Sequence, residues 1–174
     1  NNCVGLCLGY TNSLPGLAIS NRTALGYSNT ITNSANSTSV GYNNSIAAGT
    51  SSQVYGTSNT YTGNGSNGFG GIFGYANTLD GSGVNSGVSS YIFGNSNNAT
   101  VAGTSDGNSY IFGRSNTISS VSNAFAVGEY NTISADNAFV FGRSITSSIG
   151  DDIQIGLSNT GKVTITSGGS VDIG

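Results

Sequence analysis

Seven carboxylates are the main acid–base groups this 174-residue chain could bring to catalysis, since it contains no histidine. They are Asp80, Asp106, Glu129, Asp136, Asp151, Asp152 and Asp172. Glycoside hydrolysis needs two carboxyls about 5–9.5 Å apart. Asp151 and Asp152 are neighbours, so on a strand they face opposite ways. The other acids are scattered, and only an acid pair shared between chains would make a fibre-borne polysaccharide depolymerase. The expectation is a non-enzyme with no catalytic residue, no metal site and no cofactor. Cys3 and Cys7 lie four residues apart, about 13 Å in an extended strand, whereas a disulfide needs roughly 4.4–6.8 Å. Without a tight turn they are expected to be free thiols.

Composition narrows the scaffold that must hold these groups. Charged residues make up 6% of the chain, against about 25% in ordinary soluble domains. Glycine occurs 28 times, while Met, Trp and His are absent. Gly, Ser, Asn and Thr are poor in helix interiors, so a helical bundle is excluded. The apolar residues fall in short β-favouring runs such as Tyr91-Ile92-Phe93, Tyr110-Ile111-Phe112 and Phe139-Val140-Phe141, which argues against disorder. A net charge of −3 with four basic residues excludes a strong nucleic-acid surface. No run approaches the ~18 apolar residues of a membrane-spanning helix. Because position 1 is Asn and no signal peptide is evident, the chain reads as a fragment or a processed product.

A repeat organises the whole length. An apolar residue precedes each of Gly9, Gly26, Gly41, Gly56, Gly74, Gly94, Gly113, Gly128, Gly142 and Gly156. Asn follows three residues after nine of these ten glycines; the exception is Ile145, after Gly142. A second apolar residue often comes five after the glycine, as at Leu14, Ile31, Ile46, Tyr61, Leu79, Ile118 and Ile133. Each unit therefore reads as a strand, a tight turn at Gly and a second short strand. One unit cannot bury its apolar side, but stacked units at about 4.8 Å spacing can. The fold expected is all-β, a repetitive parallel β-roll or β-solenoid of about ten Gly-centred units.

Stacking turns sequence columns into ladders. Asn29, Asn44, Asn59, Asn77, Asn97, Asn116 and Asn131 are expected to bond along the stack. The position after each Gly reads Tyr10, Tyr27, Tyr42, Thr57, Tyr75, Asn95, Arg114, Glu129, Arg143 and Leu157. Arg114, Glu129 and Arg143 would form an alternating charge ladder that fixes register, each exposed pair contributing about 0.2–1 kcal/mol. Tyr27, Tyr42 and Tyr75 could stack on sugar rings, or simply on each other. Sequons at Asn21, Asn36, Asn43, Asn64 and Asn98 matter only where the source glycosylates its surface proteins.

The stretches Thr23-Ala24-Leu25-Gly26-Tyr27-Ser28-Asn29 and Ser37-Thr38-Ser39-Val40-Gly41-Tyr42-Asn43-Asn44-Ser45-Ile46-Ala47-Ala48-Gly49 resemble the head repeats of YadA-type trimeric adhesins, which also occur in phage and virus fibres. The resemblance is good over residues 21–60 and stays in register to about 150; aromatic triplets and inserted loops depart from it between 71 and 142. It implies a left-handed parallel β-roll, a homotrimer, and a place on a virion fibre or a bacterial outer surface.

Two regions follow: a β-roll repeat over 1–150, and a C-terminal β-segment over 151–174 where polar and apolar residues alternate. The Gly-to-Gly spacings of 18, 20 and 19 between Gly56 and Gly113 insert residues at Gly63–Gly68, Asp80–Ser90 and Thr100–Ser109. Inserted loops in a solenoid carry binding more often than its scaffold does, which makes Asp80 and Asp106 candidate contacts. The expected function is a structural fibre or adhesin segment that meets a host glycan or protein receptor. The rival is a monomeric ice-binding solenoid with Thr-x-Thr motifs at Thr30–Thr32, Thr60–Thr62 and Thr164–Thr166, which in sequence lie too far apart to suggest an array.

Overall fold

The computed structural model describes residues 5–16, 21–47, 50–63, 69–81, 89–101 and 108–173. Within them the chain is all-β. In order the strands are β1 (Leu6–Tyr10), β2 (Thr23–Tyr27), β3 (Thr30–Thr32), β4 (Thr38–Tyr42), β5 (Ser45–Ala47), β6 (Ser52–Thr57) and β7 (Thr60–Thr62). Then follow β8 (Phe69–Tyr75), β9 (Thr78–Asp80), β10 (Ser89–Asn95), β11 (Asn98–Val101), β12 (Tyr110–Arg114), β13 (Thr117–Val121) and β14 (Phe125–Glu129). The last are β15 (Thr132–Ile133), β16 (Phe139–Arg143), β17 (Thr146–Ser147), β18 (Ile153–Gly156), β19 (Lys162–Ile165) and β20 (Val171–Ile173).

These strands build a parallel β-solenoid. One sheet runs β1-β2-β4-β6-β8-β10-β12-β14-β16-β18 and then β19-β20; the other holds eight strands, β17-β15-β13-β11-β9-β7-β5-β3. Eight coils thus place a strand in both sheets. All pairings are parallel until β18, after which β18–β19 and β19–β20 are antiparallel. The glycine register stands in space as it stands in sequence: Gly9 pairs with Gly26, Gly26 with Gly41, and so on to Gly142 with Gly156.

The core is a single apolar column between the sheets. The residue two before each Gly points inward from the larger sheet, as at Ala24, Val54, Ile72, Ile92, Ile111, Ala126 and Val140. Facing it from the smaller sheet are Ile31, Ile46, Tyr61, Leu79, Ala99, Ile118 and Ile133. Tyr61 takes a slot that usually holds Ile or Leu, and it fits because Gly70 of β8 has no Cβ: one built there would meet the Tyr61 ring.

The repeated glycine is not the turn. Gly113 lies inside β12 with φ +137, and a Cβ on it would collide with the carbonyl oxygen of Gly128 on the next coil. Close stacking of backbone on backbone, together with a φ closed to side chains, demands Gly here. The chain turns two residues later, at Ser28, Asn43, Ser58, Ala76, Ser96, Ser115, Tyr130 and Ser144, all in the left-handed region with φ between 53 and 56.

Cys7 corrects the free-thiol expectation, for it is disulfide-bonded. The 13 Å separation assumed a continuous strand, whereas β1 begins only at Leu6 and Gly5 before it has φ +139. Cys3 lies outside the described residues.

Candidate binding surfaces

The asparagine column fills the inner side of the turn that follows each glycine. Asn116 shows its logic. Its Nδ2 donates to Asn97 Oδ1 at 3.0 Å and to the Gly128 carbonyl at 2.7 Å, and its backbone N donates to Asn97 Oδ1 at 2.9 Å. Its own Oδ1 accepts from the N and Nδ2 of Asn131. The same pattern links Asn12, Asn29, Asn44, Asn59, Asn77 and Asn97. Each amide thereby satisfies a glycine carbonyl of the next coil, and none of Asn29 to Asn131 is more than 1% exposed. The column ends where the sequence breaks it: Ile145 N still donates to Asn131 Oδ1, but its side chain can pass nothing on. Asn159 stands apart, its Oδ1 accepting from Thr146 N. This column is scaffold, sealed from any ligand.

Any ligand would have to meet the outer surfaces, and three are distinct. The first is the outer face of the larger sheet, formed by the residues one and three before each Gly. None of these twenty positions is charged. Tyr55, Phe73, Phe93 and Phe112 stack with ring centroids 4.8–5.0 Å apart, and Phe125 stacks on Phe139 at 4.8 Å. Leu6, Leu8, Phe93, Phe112, Phe141, Ile153 and Ile155 are exposed.

The adjoining edge carries the residue after each Gly. Tyr27 stacks on Tyr42 at 5.2 Å and on Tyr10 at 5.5 Å. Tyr75, also exposed, is separated from that stack by Thr57. Register sets Arg114, Glu129 and Arg143 side by side. Among the described residues one ion pair forms, Arg114 Nη2 to Glu129 Oε2 at 3.1 Å, and the Arg114 guanidinium also lies 5.3 Å from the Tyr130 ring centre.

The opposite edge, where the smaller sheet returns to the larger, is the second surface. Asp80 ends β9 there, so the structure does not bring it near Tyr27 or Tyr42. Asp106 lies outside the described residues. The three long connections, β7 to β8, β9 to β10 and β11 to β12, all join the smaller sheet to the larger and so leave from this one edge on successive coils. Next to the third is a depression of about 320 Å³ lined by Asn108, Tyr110, Asn123, Ala124 and Phe125. Here the ring stack opens, with Tyr110 and Phe125 tilted by 41° at 6.1 Å.

Along the same edge run two short polar ladders. Asn21 Nδ2 donates to Asn36 Oδ1, Asn123 Nδ2 to Asn137 Oδ1, and Asn137 Nδ2 to Asp151 Oδ1 at 2.8 Å. All five residues have positive φ. Counting five residues back from Gly26, Gly41, Gly128, Gly142 and Gly156 would have found these positions; counting forward only missed them.

The third surface is the outer face of the smaller sheet. One column reads Thr30, Ser45, Thr60, Thr78, Asn98, Thr117, Thr132 and Thr146 in unbroken register. A parallel column reads Thr32, Ala47, Thr62, Asp80, Thr100 and Ser119. The sequence distance between Thr30–Thr32 and Thr60–Thr62 is misleading, because only β5 lies between them. The Thr164–Thr166 motif belongs instead to the antiparallel end of the larger sheet.

Two charged side chains are buried among the described residues. Arg22, 1% exposed, donates through Nη1 to the carbonyls of Pro15 and Ile31. Asp152, also 1% exposed, accepts from Ser147 Oγ and Gln154 Nε2, and Lys162 Nζ reaches Gln154 Oε1 at 2.7 Å. This network closes the last parallel coil under β19. Comparison with known proteins gives no assignment: no family model, no curated protein and no solved structure matches the chain.

Proposed function

We propose that the chain is a segment of a surface-attachment fibre, assembled as a homotrimer through the outer face of its larger sheet. The long connections on the second edge would then be displayed to a host glycan or protein receptor. The observation that carries this reading is the uncharged, partly aromatic face running through ten parallel strands. Nine inter-strand steps make it about 43 Å long. Exposed apolar surface that is contiguous over such a length marks an interaction site. A ladder with a repeat of about 4.8 Å is best matched by another ladder of the same repeat, and only a second copy of this chain is certain to supply one. Three copies in a closed ring would leave no such face in water, and each displayed connection would appear three times, so weak contacts would add.

Light scattering of the native protein tests the assembly and should return three times 17.4 kDa; a folded particle of 17.4 kDa would overturn it. Shortening Asp80–Ser90 and Thr100–Ser109 to Gly-Asn turns tests the recognition half. The shortened assembly should lose adhesion to host cells while keeping its mass, and undiminished adhesion would place recognition outside these connections.

A further inference from the structure

We infer that the outer face of the smaller sheet is an ice-binding surface, a role separate from receptor attachment and independent of it. The face presents the two threonine-rich columns described above, with Thr60 and Thr78 exposed at its centre. Neighbouring strands set the rows about 4.8 Å apart, and alternate residues along a strand set the columns about 6.7 Å apart. The oxygen atoms on the prism faces of ice repeat with closely similar spacings in the same two perpendicular directions.

Four properties make this face suited to a water lattice rather than to a soluble ligand. The register of the first column runs without a shift through all eight strands, the single irregularity falling after Thr100. Among the described residues, the hydroxyls of Thr30, Thr60, Thr78, Thr117 and Thr132 make no hydrogen bond within the chain, so each is available to water. Threonine is stiff about χ1, so the hydroxyls and methyls are ordered before binding and little freedom is lost when they meet a crystal. Asp80 is the only charged residue in either column, so few ions are present to impose their own hydration shell. A protein or free sugar would be better served by the aromatic rings and the depression elsewhere on the molecule. Each hydroxyl contributes little alone, so the surface acts only through many matched contacts at once.

The test is nanolitre osmometry on the intact protein, with ice-recrystallisation inhibition as a second reading. The parent should facet growing crystals and hold a freezing gap. Thr60→Lys with Thr78→Lys puts two long ammonium side chains across the centre of the array; it should lower the gap at least tenfold at equal concentration, while Thr160→Lys on another surface leaves it unchanged. Circular dichroism and light scattering establish that both variants fold. Should the lysine pair fail to fold, Thr60→Tyr with Thr78→Tyr keeps β-favouring residues at the same positions and carries the same expectation. Unfaceted crystals and no freezing gap with the parent overturn the inference, as does a folded double variant as active as the parent.

Discussion

At the scale of single residues, two neighbouring positions in each coil obey opposite rules. Gly113 has φ +137 and no room for a Cβ against the Gly128 carbonyl. Ser115, two residues on, also has a positive φ, at 55, but in the left-handed well that L-residues enter at modest cost. Asn116 then ties the turn to the coils on both sides. Gly113→Val should therefore cost more than about 3 kcal/mol, since it adds a steric collision to backbone strain of about 1–3 kcal/mol. Ser115→Gly should be neutral or stabilising by up to about 1 kcal/mol, because it relieves the left-handed strain and removes only a side chain at the surface of the turn. Denaturant melts of the two variants check this pair; equal losses would show that the glycine column is compositional. The demand for glycine at position 113 was legible in the sequence from the repeat. The reason was only half legible, since the residue closing off the Cβ lies fifteen positions away and becomes a neighbour only once the coils are stacked.

At the scale of elements, the larger sheet was the easier to read, because each of its ten parallel strands is marked by an invariant glycine phase. The smaller sheet was harder. Its strands are two to five residues long, and its members are separated by connections of unequal length, so Thr60-Tyr61-Thr62 and Thr78-Leu79-Asp80 do not look adjacent until both are counted from their own glycines. The disulfide at Cys7 was missed for a related reason: strand geometry was assumed throughout, whereas β1 begins only at Leu6. Tyr61 gives a coil-level test. Its inward position was legible from its place five after Gly56, but the relief supplied by Gly70 was not. Burial pushes the Tyr61 phenol above its ordinary value of 10.0, partly offset by Ser52, with Tyr91 adding to the rise. A raised folded pKa means that the unfolded chain loses its proton first. The stabilisation is therefore complete below about pH 10 and falls away as pH rises through 10 toward the folded value. Melting temperature should drop above pH 10, and Tyr61→Phe should flatten that drop. An unchanged alkaline profile in the Phe variant would show that the ring does not stay buried in solution.

At the scale of the whole molecule, the fold separates two economies of surface. The interior is packed within one chain, by the apolar column and the asparagine ladder, although Arg22 Nε and Nη2 and Ser109 Oγ are buried there without a hydrogen-bond partner among the described residues. The outer face of the larger sheet leaves aromatic and aliphatic side chains exposed, and its rings stack only from coil to coil along the solenoid. Substitutions there should therefore change assembly without unfolding the coil, the reverse of substitutions in the glycine column. Phe93 and Phe112 are adjacent, outward-facing and each 37% exposed. Replacing both with Glu puts two like charges directly opposite one another on neighbouring strands, which costs less than about 1 kcal/mol while they face water. Burying the same pair against another chain would cost several kcal/mol per uncompensated charge. The expected outcome is a particle of 17.4 kDa that keeps its β-sheet circular dichroism but melts at a lower temperature, because the stabilisation from association is gone. High salt should restore assembly only in part, since screening weakens the repulsion between the carboxylates without removing their desolvation cost. A Phe93→Glu/Phe112→Glu protein that still sediments at the mass of the parent would show that this face looks outward in the assembly, and that the chains meet along another surface.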